Sequence, residues 1–189
     1  RKQMGNFSQK VDKFIDIFLN QNGYVKVVQG LHNTLLIAIC GLIIGIVIGT
    51  LIATVRVIPK YKTLPRVLNH ICSFYVALFR GTPMVVQLLI TYFVIFGSVN
   101  IDKTLVAVLA FGVNSGAYVA EIVRSGIMSV DNGQFEAGRS LGLSYRQTMI
   151  SIVLPQAFKT VLPALANECI VLLKETSVAG YIAIQDLTK

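Results

Sequence analysis

Apolar residues fall along this chain in long blocks separated by short polar stretches, and the blocks differ in period. At the start, Phe7, Val11, Phe14, Ile15, Phe18 and Leu19 alternate with Lys10, Asp12, Lys13 and Asp16. The apolar set recurs at steps of three and four, which predicts a short amphipathic helix. It is too polar to span a bilayer and is suited to lie along its surface, so residues 1–29 read as an interfacial segment. Asn20-Gln21-Asn22-Gly23 ends that helix.

The blocks that follow are of another kind. No charge occurs from Leu35 to Val55, enough α-helix to cross a hydrocarbon core of about 30 Å. The predicted span runs from about Asn33 to Val55, with Asn33 placed to cap its free N–H groups. Gly41, Gly45 and Gly49 stand four apart on one face. They either admit a close helix neighbour or reflect the general frequency of glycine in membrane helices. A second span, about His70–Phe96, is interrupted by Arg80-Gly81-Thr82-Pro83, where proline removes a backbone donor and bends the helix. After a turn at Gly97–Lys103 come a third span, about Thr104–Val123, and a fourth, about Met149–Leu173. The third carries Asn114, Ser115 and Glu121; the fourth carries Pro155, Pro163, Asn167 and Glu168. Lys174–Lys189 is a mixed tail.

Composition agrees with burial in lipid. The chain is 54% hydrophobic and 14% charged, against about 25% charged in globular domains, and its mean hydropathy is +0.67. Several apolar runs in so short a chain leave too little polar surface for a soluble core. The fold class is therefore an all-α integral membrane protein. The net charge of +8 is no nucleic-acid signal, because the basic residues cluster beside apolar runs, where they set orientation. Arg56, Lys60, Lys62 and Arg66 form an acid-free loop, expected in the cytoplasm together with residues 124–148. The N-terminus is then expected outside, although the N-terminal tail is itself basic. The first apolar run begins too late for a cleavable signal peptide, and a chain beginning at Arg1 is expected to continue upstream. Cys40, Cys72 and Cys169 are too far apart for a disulfide framework or zinc site and read as small buried hydrophobes. His32 and His70 flank helix starts with no second ligand at metal spacing.

The polar stretch between the third and fourth spans has its own pattern. Asp131-Asn132-Gly133 reads as a turn, Gln134–Leu141 as a short helix, and Gly142 as its stop. Ser144 and Gln147 fit a capping box that opens the next helix. Two helices joined by a tight glycine turn make either an ordinary structured loop or a rigid knob for a partner.

A series of motifs decides between them. Glu136-Ala137-Gly138, then Gly142, then Ile152-Val153-Leu154-Pro155 resembles the EAA motif of ABC importer permeases: Glu-Ala-Ala, a glycine six residues after the Glu, and Ile-x-Leu-Pro ten further on. Gly138 departs from the pattern by replacing the second Ala. Phe79-Arg80-Gly81-Thr82-Pro83 with Val86-Gln87-Leu88, the run Asn114–Arg124, Arg139–Gly142, Leu154–Ala157 and Leu172–Ser177 resemble the polar amino-acid uptake subfamily. The ordered set covers roughly residues 30–188 and is far more specific than any fragment.

The resemblance implies a type I importer permease domain over 30–189, with a coupling segment at about 131–148. It implies a second permease copy or homologue, a cytoplasmic ATPase dimer gripping Glu136, Ala137, Gly138, Arg139, Ser140, Leu141 and Gly142, and an extracytoplasmic amino-acid-binding protein. Such permeases have five core spans, so the chain is expected to be a C-terminally truncated subunit, the fifth lying beyond Lys189. No phosphate-binding G-x-x-x-x-G-K-[S/T] occurs. ATP and Mg are expected in the partner, with no cofactor here and no enzymatic activity of its own. To switch the spans nearly completely, nucleotide must favour one state by on the order of 5 kcal/mol.

Within the spans, Gln87, Asn114 and Glu168 are the candidate substrate-binding residues. A carboxylate in a bilayer costs roughly 2.5 kcal/mol or more and normally faces a cavity or a partner. Glu168 would take an ammonium or a cationic side chain, with Asn114 and Gln87 on a carboxylate or amide. The alternative is inter-helix glue, with Glu168 paired to Lys174 or Arg80. Arg80 is expected near the cytoplasmic end of its span, either snorkelling or paired with Glu121, and both residues are expected to be structural. The function read from the sequence is the membrane subunit of an ATP-driven importer for polar amino acids, cationic ones included. A permease for another small polar solute, or an ion-driven secondary transporter, are the rivals.

Overall fold

The computed structural model describes residues 23–58, 63–182 and 184, and among them every regular element is helical. The expected amphipathic helix before residue 20, and Lys60 and Lys62 of the basic loop, lie outside the described residues.

Helix α1 runs Gly23–Val57, 35 residues, about 52 Å at 1.5 Å per residue and longer than the hydrocarbon core. It starts well before the expected Asn33. No proline interrupts Val25, Val27, Val28 and Leu31, so the helix carries on, and Asn33 lies inside it rather than capping it. Helix α4, Lys103–Met128, is the centre of the bundle, and α1 lies along it in the same direction. Gly41 faces Phe111, Gly45 faces Ser115, and Gly49 faces Val119, each step of four on one helix matching four on the other. In return Ile44 and Ile48 of α1 press on Gly112 and Gly116 of α4. The glycine face is therefore a packing seam, where missing side chains let two backbones approach.

Between them in sequence come α2, Thr63–Gly81, and α3, Met84–Leu89, which widens into a π turn over Ile90–Ile95. Their axes turn by 106° at the break. Pro83, at φ −65° and ψ 138°, takes extended backbone there, as a residue without an N–H must when it ends one helix and begins another. Counted as one broken span, this pair makes a fourth candidate crossing beside α1, α4 and the long run Tyr145–Ile182. Only Val76 of α2 is buried, while Leu64, Ile71 and Phe74 stand exposed.

Helix α5, Asn132–Ser140, begins two residues before the expected Gln134, because Asp131 is its N-cap, its carboxylate accepting from the Gly133 N–H. Helix α6, Tyr145–Thr148, leads through a second π turn, Met149–Val153, into α7, Leu154–Glu175, and a final 3-10 stretch, Thr176–Ile182. The wide turn falls where the Pro155 ring would collide with the Ser151 carbonyl in a regular α-helix. Helix α7 runs opposite to α4: Val161 meets Gly126 and Glu168 meets Ser115. Phe111, Ile37, Leu88 and Leu172, all at most 1% exposed, bring α4, α1, α3 and α7 together in the main core.

Candidate functional site

Asn114 and Ser115 are consecutive on α4, so their side chains leave the helix about 100° apart and meet different neighbours. Asn114 turns to the break between α2 and α3. Its Nδ2 donates to Gln87 Oε1 at 2.8 Å and approaches the Phe79 carbonyl at 3.5 Å. Gln87 Nε2 in turn donates to the Phe79 carbonyl at 2.8 Å, the Thr82 carbonyl at 3.0 Å and Thr82 Oγ1 at 2.7 Å. A helix ending inside a bundle leaves carbonyls without N–H partners. The two amides supply those donors, and in apolar surroundings an unmet carbonyl would cost far more than in water. Of the three candidate residues, Gln87 and Asn114 meet, and their visible work is to hold the broken helix end.

Glu168, 6% exposed, comes from α7 and accepts from Ser115 Oγ at 3.2 Å. It does not join the amide pair in a hydrogen-bonded group, and its partner is Ser115 rather than Lys174 or Arg80. Ser115 is fully buried, and a Cβ on Gly45 would lie 2.7 Å from its hydroxyl. The polar contact of α7 with α4 thus depends on the absence of a side chain on α1. Beside the amide pair lies a cavity of about 310 Å³, lined by Phe79, Gln87, Thr91, Ile95, Phe96, Leu109, Ala110 and Val113. Its volume is at the lower end for small-molecule sites. Gln87 lines it; Asn114 and Glu168 do not.

Some seven residues along α4 from Asn114, Glu121 gathers three arginines. Arg56 of α1 reaches it at 2.7 Å, Arg124 at 2.5 Å, and Arg80 at 4.0 Å, with the Arg80 guanidinium over the Tyr118 ring at 5.4 Å from its centre. The expected Arg80–Glu121 pair is present but is the longest of the three. Arg56 had no local signal: it is 65 positions from Glu121.

The segment after α4 is shaped by its capping and stop residues. Gly142, at φ +81°, stops α5 in the left-handed conformation that glycine tolerates. The Leu143 N–H reaches back to the Gly138 carbonyl, and the Gly142 N–H to that of Arg139. Ser144 and Gln147 close the capping box in both directions. Phe135 packs edge-on against Tyr145 with ring centres 5.1 Å apart, which pins α5 to α6. Gly138, the departure from Glu-Ala-Ala, has a local reason: a Cβ there would stand 2.7 Å from Cγ2 and 3.0 Å from Oγ1 of the fully buried Thr148. Leu141, 82% exposed, stands out beside the turn.

Residues 41–188 match the family described as the binding-protein-dependent transport system inner membrane component. An arginine transport system permease protein of Bacillus subtilis (strain 168) is 39% identical over 165 residues, 86% of this chain and 73% of that one. The glutamine transport system permease protein of Escherichia coli (strain K12) covers the same 86% and 73%. Among solved structures, one titled as an amino acid ABC transporter with histidines superposes at a TM-score of 0.80 and 40% identity, over 90% of this chain and 78% of that one. The helical bundle is thus that of a type I ABC importer permease, and this multi-pass chain belongs to the family of binding-protein-dependent transport system inner membrane components.

Proposed function

We propose that this chain is the membrane-spanning subunit of an ATP-driven importer for polar L-amino acids. It works with a second permease copy or homologue, a cytoplasmic ATPase dimer that holds ATP and Mg, and an extracytoplasmic binding protein. The observation that carries this reading is the segment Asp131–Thr148, two short helices locked by an N-cap, a left-handed glycine and a reciprocal capping box. A motor outside the bilayer can turn the spans only through a projection that does not itself bend. Glu136, Ala137, Gly138, Arg139, Ser140, Leu141 and Gly142 are the residues it would grip. Likeness to permeases named for arginine and glutamine supports polar amino acids as cargo.

Within the spans, Glu168 is the residue that selects charge. A buried carboxylate whose hydrogen-bond partner is a single hydroxyl attracts an ammonium or guanidinium far more strongly than a neutral side chain. Asn114 and Gln87 act by holding the α2–α3 break, and Gln87 presents an edge to the adjoining cavity. In vesicles reconstituted with the complete transporter, Glu168→Gln should abolish the preference for cationic over neutral amino acids. An unchanged preference would remove Glu168 from the substrate path. Co-purification with the ATPase, followed by thermal-shift screening of amino acids, tests the partner and cargo together.

A further inference from the structure

Three guanidiniums converge on one carboxylate at the end of the bundle from which the 131–148 segment projects. Each guanidinium carries five N–H donors and one positive charge, whereas a carboxylate offers about four acceptor positions and one negative charge. Arg56, Arg80 and Arg124 therefore leave positive charge in excess around Glu121, by one charge even when Glu168, within electrostatic reach of Arg80, is counted against them. Donors remain unmatched as well: among the described residues, Arg56 Nε is buried without a hydrogen-bond partner. Arg80 is the outermost of the three. Its side chain is 42% exposed, at 4.0 Å it barely touches Glu121, and it lies over the Tyr118 ring at 5.4 Å from its centre. An under-neutralised set of converging guanidinium forks suits the tetrahedral oxygens of a phosphate.

We propose that Arg80, Arg124 and Arg56 form a binding site for one phosphate oxyanion, and that in the membrane its occupant is the headgroup of an anionic phospholipid. Two observations favour a lipid over a soluble anion. Arg56 lies in the last turn of α1 and Arg124 about one turn before the end of α4, the part of a spanning helix from which basic side chains snorkel toward headgroups. The exposed surface nearby in sequence includes large apolar side chains: Leu51 on α1, Ile58 just after it, Leu78 on α2 and Met128 on α4. The site goes beyond the transport reading and depends neither on the cargo nor on which end of the bundle is cytoplasmic.

The test uses the purified transporter complex in detergent, titrated with phosphatidylglycerol or phosphatidylcholine and read by native mass spectrometry. Wild type should retain phosphatidylglycerol in preference to phosphatidylcholine. Arg80→Gln should weaken that retention about fivefold, the effect of one basic group at an anionic headgroup. Arg139→Gln, on the projecting segment, should leave it unchanged. Equal retention of the two lipids by wild type, or equal losses in Arg80→Gln and Arg139→Gln, would overturn the site. If inorganic phosphate alone raises the melting temperature of wild type but not of Arg80→Gln, with no preference between lipids, the occupant is a soluble anion and the lipid assignment fails. Should Arg80→Gln not fold, Arg80→Lys keeps the charge and loses the fork. It should bind phosphatidylglycerol measurably less well, and wild-type retention by that variant would refute recognition by the guanidinium.

Discussion

At Gly49 a single hydrogen separates a packed bundle from a collision. A Cβ there would lie 2.6 Å from Val119 Cβ and 2.8 Å from the Ala120 amide nitrogen, and backbone cannot step aside as a side-chain tip can. At Gly45 the same atom would strike the Ser115 hydroxyl and push it off Glu168. Gly81, with nothing within 4 Å of its missing Cβ, has no such neighbour. Overpacking of a tight core costs about 1–3 kcal/mol. Gly49→Ala should lower the melting temperature of the detergent-solubilised protein, and Gly81→Ala should lower it far less. Equal shifts would mean that the α1–α4 seam is not close-packed. Gly45→Ala should in addition alter amino-acid preference in the direction of Glu168→Gln, because it disturbs the same carboxylate through its hydroxyl partner.

Single helices obey their capping residues and their prolines, and here sequence reading was most successful. Gly142 as a stop, Ser144 with Gln147 as a capping box, and the break before Pro83 are each local: the residues that define them lie within four positions of one another. What stayed hidden was long-range or permissive. Asn33 looks like a cap but is carried inside the helix, because nothing before it breaks the chain. Gln87 and Asn114 were legible as polar residues carried by different spans. That they tie up the carbonyls of Phe79 and Thr82 requires the 106° turn, which no period in the sequence states. Arg56 and Glu121 meet only because α1 and α4 run parallel.

Gly138→Ala restores the family's usual residue yet should destabilise this chain, because Thr148 is buried against the site. Thr148→Ser removes the Cγ2 methyl and keeps the hydroxyl that donates to the Ser144 carbonyl. The double variant should therefore recover most of the loss, a coupling that a double-mutant cycle measures directly. At the start of α4, hydrogen bonds from the Thr104 side chain and from the Thr104 and Leu105 amides hold the Asp102 carboxyl below its ordinary value of 3.8. A folded value lower than the unfolded one adds stability at pH above the ordinary range. That stability is lost as pH falls through the lowered folded value. Hydrogen exchange at the Thr104 and Leu105 amides, corrected for intrinsic rates, should become faster on acidification in wild type. In Asp102→Asn, which caps without titrating, it should not.

Across the whole molecule, the direction of each helix converts one orientation into all of them. Helices α1 and α4 run together and α7 runs against them, so the ends of α1 and α4 and the segment 131–148 share one side of the membrane. The loop 97–102 that precedes α4 then lies on the other. Charge chooses between the two arrangements: Arg56 and Arg66 stand in an acid-free loop, while the loop before α4 meets Asp102 and Lys103 in balance. With Cys40, Cys72 and Cys169 replaced by serine, a single cysteine at Arg139 should resist a membrane-impermeant maleimide in intact cells and react once the membrane is opened. A cysteine at Val99, 55% exposed between the spans, should react in intact cells. The reverse pattern would place the 131–148 segment outside, where no ATP-driven partner could pull on it, and the importer reading would fall with the orientation.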